Sequence, residues 1–101
     1  MALTLVAIRL NYQYTIMQAK RLEEAAERMR KIASHDINES IDSIRASWTG
    51  DNANAFIMKE EQLRVKVEKT ANSMMNTAQT IRRIAQNIYE AEMRNYRLIK
   101  G

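Results

Sequence analysis

The scarcity of chain-breaking residues constrains this fold more than any other feature of the sequence. The 101 residues include no Pro and 2 Gly, and one of these, Gly101, ends the sequence. The other, Gly50, lies near the midpoint beside the only Trp, Trp48. Because turns depend largely on Gly and Pro, the chain has room for few elements, and those elements must be long.

The composition indicates one helical domain over residues 1–101. Hydrophobic residues make up 46% and charged residues 28%, which is typical of a folded soluble chain and unlike a disordered one. The net charge of +4 is spread among interspersed acidic and basic residues, as on solvated helix faces. Binding to nucleic acid would need a denser basic stripe or a recognisable motif, so we do not expect it.

Apolar residues step by three and four over the first half of the chain, from about residue 12 to residue 47. The series consists of Ile16, Ala19, Leu22, Ala26, Met29, Ala33, Ile37, Ile41, Ile44 and Trp48. This pattern predicts an amphipathic first helix with Asn11 as its N-cap. Residues 1–10 are open to three interpretations: an extended lead-in, a frayed tail or an early helical turn. Ser34-His35-Asp36 is a soft spot, where we expect one continuous helix, with or without a bend.

A second amphipathic stripe follows the Gly50 region and predicts a helix over about residues 52–97. Its apolar positions are Phe56, Leu63, Val67, Ala71, Met74, Ala78, Ile81, Ala85 and Ile88. Gly50 suits a left-handed residue just past a helix end. A turn confined to residues 48–51 makes the second helix run back antiparallel to the first, so the sequence predicts an all-α hairpin.

Two helices that share one seam cannot enclose a core, so the hairpin is predicted to need a partner. Ordering a residue costs roughly 1–2 kcal/mol, which one narrow seam does not offset. Docking two hairpins gives a closed four-helix bundle, and a twofold homodimer is the default arrangement. The predicted dimer core comprises Leu22, Met29, Ile37, Ile41, Ile44, Phe56, Leu63, Val67, Met74 and Ile81.

No group of residues in the sequence indicates catalysis, a cofactor or a metal. His35, the only His, shares a helix face with Glu39, but two or three scattered ligands on a charged face favour a solvated surface. There is no Gly-rich phosphate loop and no Cys. We therefore expect a protein that is not an enzyme and that has no catalytic, metal or cofactor-binding residues.

The N-terminal apolar run is short and is interrupted by Arg9, which does not fit a signal peptide or a membrane span. Export, if it occurs, is expected to proceed without a conventional leader and without stable membrane insertion. Aromatic residues gather at the two ends of the predicted hairpin and are enriched at interfaces generally. Tyr12, Tyr14, Tyr89 and Tyr96 lie toward the chain ends, and Trp48 and Phe56 lie by the turn. End-packing of the bundle and partner binding both explain them.

With Trp48-Thr49-Gly50 between two long amphipathic helices, followed by Ala53, Ala55 and Phe56, the chain resembles the WXG family of type VII secretion, the ESAT-six-like proteins. The resemblance covers most of the chain in length and layout. It implies a four-helix bundle formed with a second copy or a sister protein. It also implies leaderless export through a membrane-embedded ATPase machine in a Gram-positive-type bacterium. By position, Trp48 and Gly50 take the motif's roles at the turn.

One departure from the family pattern concerns the C-terminal export signal, a Tyr followed four residues later by Asp or Glu. Here Tyr89 has Met93 at that spacing, whereas Glu92 comes one residue too early and gives a degenerate version at best. From the resemblance, the first hypothesis is a secreted homodimeric substrate or effector. The alternative is a non-enzymatic adaptor that pairs with the N-terminal helices of a larger secreted toxin.

Overall fold

The computed structural model describes residues 4–100, and all regular structure in that range is helical. The elements are α1 (Leu5–Lys31), a π-helical segment (Ile32–Ile37), α2 (Asn38–Ser47) and α3 (Asp51–Lys100). The first three follow one another without a break and form the first arm of a hairpin, and α3 forms the second. This confirms the predicted all-α helical hairpin. Residues 1–3 and 101, included in the predicted ranges, lie outside the described residues.

The first helix begins at Leu5 and not near residue 12, so of the three interpretations of residues 1–10 the early helical turn fits residues 5–10. Thr4, and not Asn11, provides the cap, because its Oγ1 accepts a hydrogen bond from the backbone N–H of Ala7 at 3.1 Å. Ile8 is 2% exposed. Burial of the Ile8 side chain stabilises the first turns of the helix. The apolar run of residues 1–10 is too weakly periodic to predict that burial.

The predicted soft spot lies within the π-helical segment. A π turn accommodates one residue more than an α turn. Asn38 Nδ2 donates a hydrogen bond to the backbone carbonyl of Ser34 at 2.9 Å. Ala33 and Ile37 are both buried, so the helix keeps its apolar side facing inward while the backbone widens. The arm is thus a continuous helix, as predicted, but it is not α-helical throughout.

The chain divides into two compact units, of which unit 1 comprises residues 1–23 and 75–101. Within it, Tyr12 contacts Tyr89, with ring centroids 4.8 Å apart, and Glu23 contacts Arg82. Contacts that advance along α1 while receding along α3 show that the two helices run antiparallel in this unit. The predicted proximity of aromatics from the two chain ends holds for Tyr12 and Tyr89.

Unit 2 comprises residues 24–74 and contains the turn. Arg30 Nη2 donates to Asn72 Oδ1 at 3.0 Å, and nearer the turn Arg45 lies 3.7 Å from Glu61. The order of these pairs again shows an antiparallel arrangement. Both arms of the hairpin therefore contribute to each unit.

Alanine dominates the buried positions of both units. Unit 1 buries Ile8, Ala19, Ala78 and Ala85, and unit 2 buries Ala26, Ala33, Ile37, Ile41, Ala53 and Ala71. Along the sequence, three of these alanines on each arm recur every seven residues, the spacing of a coiled-coil seam. Small side chains let two helices approach closely. The consequence is that most of the larger apolar side chains are left outside the seam.

The helix α3 extends somewhat further at both ends than the predicted range of about 52–97, because it begins at Asp51 and continues to Lys100. The Asp51 carboxylate lies in its first turn, where the helix dipole favours negative charge. No helix in the described part of the chain combines the length and apolarity needed to cross a bilayer.

Candidate functional site

The turn of unit 2 brings the three predicted motif residues together in one tight reversal. Trp48 closes α2, with an extended backbone (φ −117°, ψ 143°) and its N–H bonded to the carbonyl of Ile44 at 2.8 Å. Gly50 has φ 97°. Its carbonyl accepts a 3.2 Å hydrogen bond from Asn54 N–H and so joins the turn to α3. A Cβ at Gly50 would meet nothing within 4 Å, so the backbone conformation alone favours Gly here.

Trp48 packs against Phe56 at the tip of unit 2, with centroids 6.0 Å apart and planes inclined by 53°. Offset, tilted geometry is the favoured arrangement of aromatic pairs. Nevertheless Trp48 is 54% exposed and Phe56 is 41% exposed. The tip therefore presents a large amphipathic aromatic surface, which is the usual chemistry of a protein-binding hot spot.

Charged side chains connect the two arms behind this aromatic tip. Glu61 lies 3.7 Å from Arg45 on the opposite arm and 3.0 Å from Arg64 on its own helix. Arg64 also lies 3.8 Å from Glu68. Arg64 is part-buried, whereas the Arg45–Glu61 pair that joins the two arms is more exposed and contributes little stability by itself.

Tyr89 and Glu92, which the sequence analysis predicts as a degenerate export signal, line a groove of unit 1. The groove has a volume of about 210 Å³ and is lined mainly by apolar atoms. Tyr12 also lines the groove and donates a 3.0 Å hydrogen bond to Gln86 Oε1. Gln86 in turn donates to Glu90 at 2.9 Å. The structure thus brings Tyr89 and Glu92 to one surface together with Tyr12 from the other arm.

A bidentate ion pair joins the arms elsewhere in unit 1. Arg82 donates from both Nε and Nη2 to the carboxylate of Glu23, the former at 3.0 Å. The hydrogen bond from Arg82 lowers the pKa of Glu23, and the same bond raises that of Arg82. Because a bidentate pair depends on orientation as well as distance, it favours the register that the two helices have here.

The predicted dimer-core residues fall into three groups by burial. Ile37 and Ile41 are already buried inside unit 2. Six are half-buried: Leu22, Met29, Ile44, Val67, Met74 and Ile81. Phe56 and Leu63 are exposed. The large residues of the stripes thus remain available to a partner to very different degrees.

His35 lies on the exposed side of the π-helical segment between two carboxylates. Its Nδ1 is 3.1 Å from Asp36 and its Nε2 is 3.4 Å from Glu39. The hydrogen bond with Asp36 and the charge of Glu39 raise the pKa of His35. Within residues 4–100 no three His, Cys, Asp or Glu side chains form a group suited to a metal ion.

Sequence reasoning missed several residues that shape the surface of unit 1. Ile84 and Ile88 line the groove and remain about half-exposed. Ile88 belongs to the predicted second stripe, but nothing in the sequence indicated that an alanine seam would leave it and Ile84 outside. The Glu23–Arg82 pair was equally hidden, because residues far apart in sequence can be paired only when the register of the arms is known.

In a comparison with known protein families, the chain matches the model of a family of small proteins. The model of the family described as proteins of 100 residues with WXG covers residues 7–93. No curated protein and no solved structure matches the chain significantly. The matched range includes the turn, the aromatic tip and both Tyr89 and Glu92.

Proposed function

Because the chain belongs to the WXG family, the ESAT-six-like proteins of type VII secretion, we propose that it is a secretion substrate, exported as a helical homodimer. The observation that carries the proposal is the turn itself. Trp48 and Gly50 occupy the reversal of the hairpin, and Trp48 is left half-exposed at its tip. A Trp in this position offers the secretion machine, or a partner chain, an aromatic anchor.

Dimerisation buries the large apolar side chains that the alanine seam leaves exposed. Burying a large apolar side chain contributes about 1.5–3 kcal/mol relative to leaving it exposed. Leu63 is 48% exposed, and most of the other proposed dimer-core residues are only half-buried. A second hairpin laid against them forms the four-helix bundle, with no enzyme activity required for the role.

A second candidate role is that of an adaptor for a larger secreted toxin with a similar N-terminal hairpin. The C-terminal sequence supports this adaptor role. Neither Tyr89 nor Tyr96 is followed four residues later by an acidic residue; the positions are Met93 and Lys100. A chain with an incomplete signal gains export by pairing with a partner that supplies a complete one. The family match supports a secretion substrate, whereas support for the adaptor role comes from the C-terminal sequence.

A secretion assay in a host with an active type VII system tests the first role. We expect Trp48→Ala to reduce the exported fraction at least tenfold while the cellular protein stays helical. Met58→Ala is the matched control, since Met58 is an exposed apolar residue of the same unit (63%). Deleting the membrane ATPase abolishes export of every form. Equal export of Trp48→Ala and the wild type counts against recognition through the turn.

The mass of the complex in the native host separates the two roles. A self-dimer has twice the 11.8 kDa mass of the chain. An adaptor appears instead in a stoichiometric complex with a larger helical protein, and its export stops when that protein is deleted. Export that continues unchanged after the deletion removes the adaptor role.

A further inference from the structure

The outer side of α1 carries a second apolar surface that the fold does not use. In unit 1, Ile8 and Ala19 face α3 and are 2% and 0% exposed. Between and around them, four larger residues point away from α3. This outer stripe consists of Val6 (66% exposed), Leu10 (58%), Tyr14 (66%) and Met17 (50%). Intervals of four, four and three residues align them along one side of the helix.

The outer stripe is distinct from the proposed dimer interface. Leu22, the nearest dimer-core residue, follows Met17 by five positions, which places it about 140° further around the helix. Ile8, on the seam, follows Val6 by two positions and lies about 200° away. Neither packing within the hairpin nor docking of a second hairpin through the dimer core therefore covers the stripe.

Along α1 itself, the charged residues beside the outer stripe are all positive. Between Leu5 and Leu22 there is no Asp or Glu, but there are three cations, Arg9, Lys20 and Arg21. Among the residues that the structure describes, none of the three forms an ion pair. The first carboxylate along α1, that of Glu23, is held by Arg82.

Unit 1, which carries the outer stripe, is also the more positively charged of the two units. Residues 1–23 and 75–101 contain eight Lys and Arg against three Glu, a formal charge of +5. Residues 24–74 contain eight Lys and Arg against nine Asp and Glu, a charge of −1, and the two add to the net charge of +4. The excess positive charge of the chain thus belongs to the unit that carries the outer stripe.

We propose that the outer stripe docks unit 1 on an anionic phospholipid surface, with α1 lying in the headgroup region. Amphipathic helices bind there through an apolar face flanked by Lys and Arg, which attract anionic headgroups. Val6 and Leu10 supply the aliphatic contact, and Tyr14 suits the boundary between apolar and wet surroundings. The long side chains of Arg9 and Lys20 can reach outward to the phosphates.

The size of the outer stripe favours a bilayer over a folded protein partner. Specific protein–protein interfaces engage about 20–30 residues on each side. The stripe offers four side chains in a row about 16 Å long on the convex side of one helix. A bilayer needs no matching groove, and its affinity for such a helix grows with buried apolar area and anionic charge. The docking is peripheral and does not depend on the secretion role.

Cosedimentation of the full chain with lipid vesicles tests the proposal. We expect binding to vesicles of three parts phosphatidylcholine to one part phosphatidylglycerol, much weaker binding to pure phosphatidylcholine, and weakening as salt is added. Leu10→Gln reduces the affinity about tenfold. Met58→Gln, at a comparably exposed apolar residue of unit 2, leaves the affinity unchanged. Circular dichroism confirms that both variants keep the helicity of the wild type.

Three results would overturn the proposal. The first is no binding to the anionic vesicles. The second is equal affinity of Leu10→Gln and the wild type, which reduces the effect to attraction between opposite charges. The third is that soluble polyglutamate, an acidic protein surrogate without a bilayer, competes with the vesicles for the wild type and for Leu10→Gln alike. Because the assay uses purified protein and vesicles, its failure leaves the secretion proposal untouched.

Discussion

At the scale of single residues, the Glu23–Arg82 pair is the sharpest polar feature of the fold. It joins the two arms of unit 1 through two hydrogen bonds to one carboxylate. The pKa of Glu23 is depressed in the folded chain, chiefly by the hydrogen bond from Arg82. A depressed folded-state pKa means that the carboxylate contributes stability above its unfolded-state pKa and loses that contribution as the pH falls through the folded-state value.

The pair predicts a specific acid sensitivity. The wild type loses stability on acidification below the ordinary range of a glutamate, and Glu23→Gln shows less of that loss because its side chain does not titrate. Glu24→Gln is the control, since Glu24 is exposed and is in no ion pair among the described residues. Urea unfolding at neutral and acid pH gives the comparison. If all three proteins lose stability equally with acid, the pair does not contribute.

Residues at the turn could be predicted from sequence, whereas residues at the arm contacts could not. Gly50 was identified because only a short list of conformations ends a helix tightly, and φ 97° is one that Gly favours. The cap at Thr4 was missed because an apolar run gave no reason to begin a helix so early. Contacts such as Tyr12 with Gln86 depend on the register of the arms, which no local pattern sets.

At the scale of the elements, the alanine seam determines how closely the helices pack. Ala78 is 0% exposed in unit 1, so a larger side chain there has to be accommodated between the two helices. The periodicity of the apolar stripes was correctly read as helical, but it did not distinguish seam positions from outward ones. Heptad spacing of the smallest residues carries that distinction, because only small side chains permit close approach.

Enlarging a seam alanine is therefore predicted to destabilise the hairpin. Ala78→Leu overpacks the seam and costs about 1–3 kcal/mol in the free energy of unfolding. Ala55→Leu, at an exposed position on the same helix α3, changes stability by no more than about 0.5 kcal/mol. Urea denaturation followed by circular dichroism measures both. A wild-type midpoint for Ala78→Leu would mean that the helices are not held closely at this position.

The π-helical segment makes a second prediction at this scale. Because a π turn holds one residue more than an α turn, deleting Ser34 allows the segment to become α-helical while Ala33 and Ile37 keep their inward side. We expect the deletion variant to stay folded with a melting temperature near that of the wild type. Deleting Glu24 from the regular part of α1 rotates what precedes it by about 100° and strongly destabilises the chain.

The two deletions are matched because both remove one exposed polar residue from the same arm. If the deletion of Ser34 is as damaging as that of Glu24, the segment does not contain a spare residue. The sequence marked this place through the clustering of Ser, His and Asp, which are poor interior helix residues. It could not show that the outcome is a wider turn, since the four-residue spacing of Ala33, Ile37 and Ile41 fits an α turn and a π turn equally well.

At the scale of the whole molecule, the proposed homodimer follows from what the alanine seam leaves outside. Leu63 and Val65 have similar exposures on α3, 48% and 42%, but they lie about 200° apart around the helix. Leu63 belongs to the proposed dimer core, whereas Val65 points to the opposite side. The pair thus allows an apolar-to-polar change to be made on either side of one helix at nearly the same position.

Leu63→Gln is predicted to weaken the dimer, because a twofold interface contains each residue twice. Because Leu63 is 48% exposed in the hairpin, the dimer gains about half of the ~1.5–3 kcal/mol of full burial from each copy, so loss of both copies raises the dissociation constant about tenfold to a hundredfold. Val65→Gln leaves it within a few fold of the wild type. Analytical ultracentrifugation over a range of concentrations measures all three. Equal weakening by both variants argues against this face, since an interface confined to one side of α3 must distinguish Leu63 from Val65. A folded wild-type monomer at micromolar concentration argues against the dimer itself.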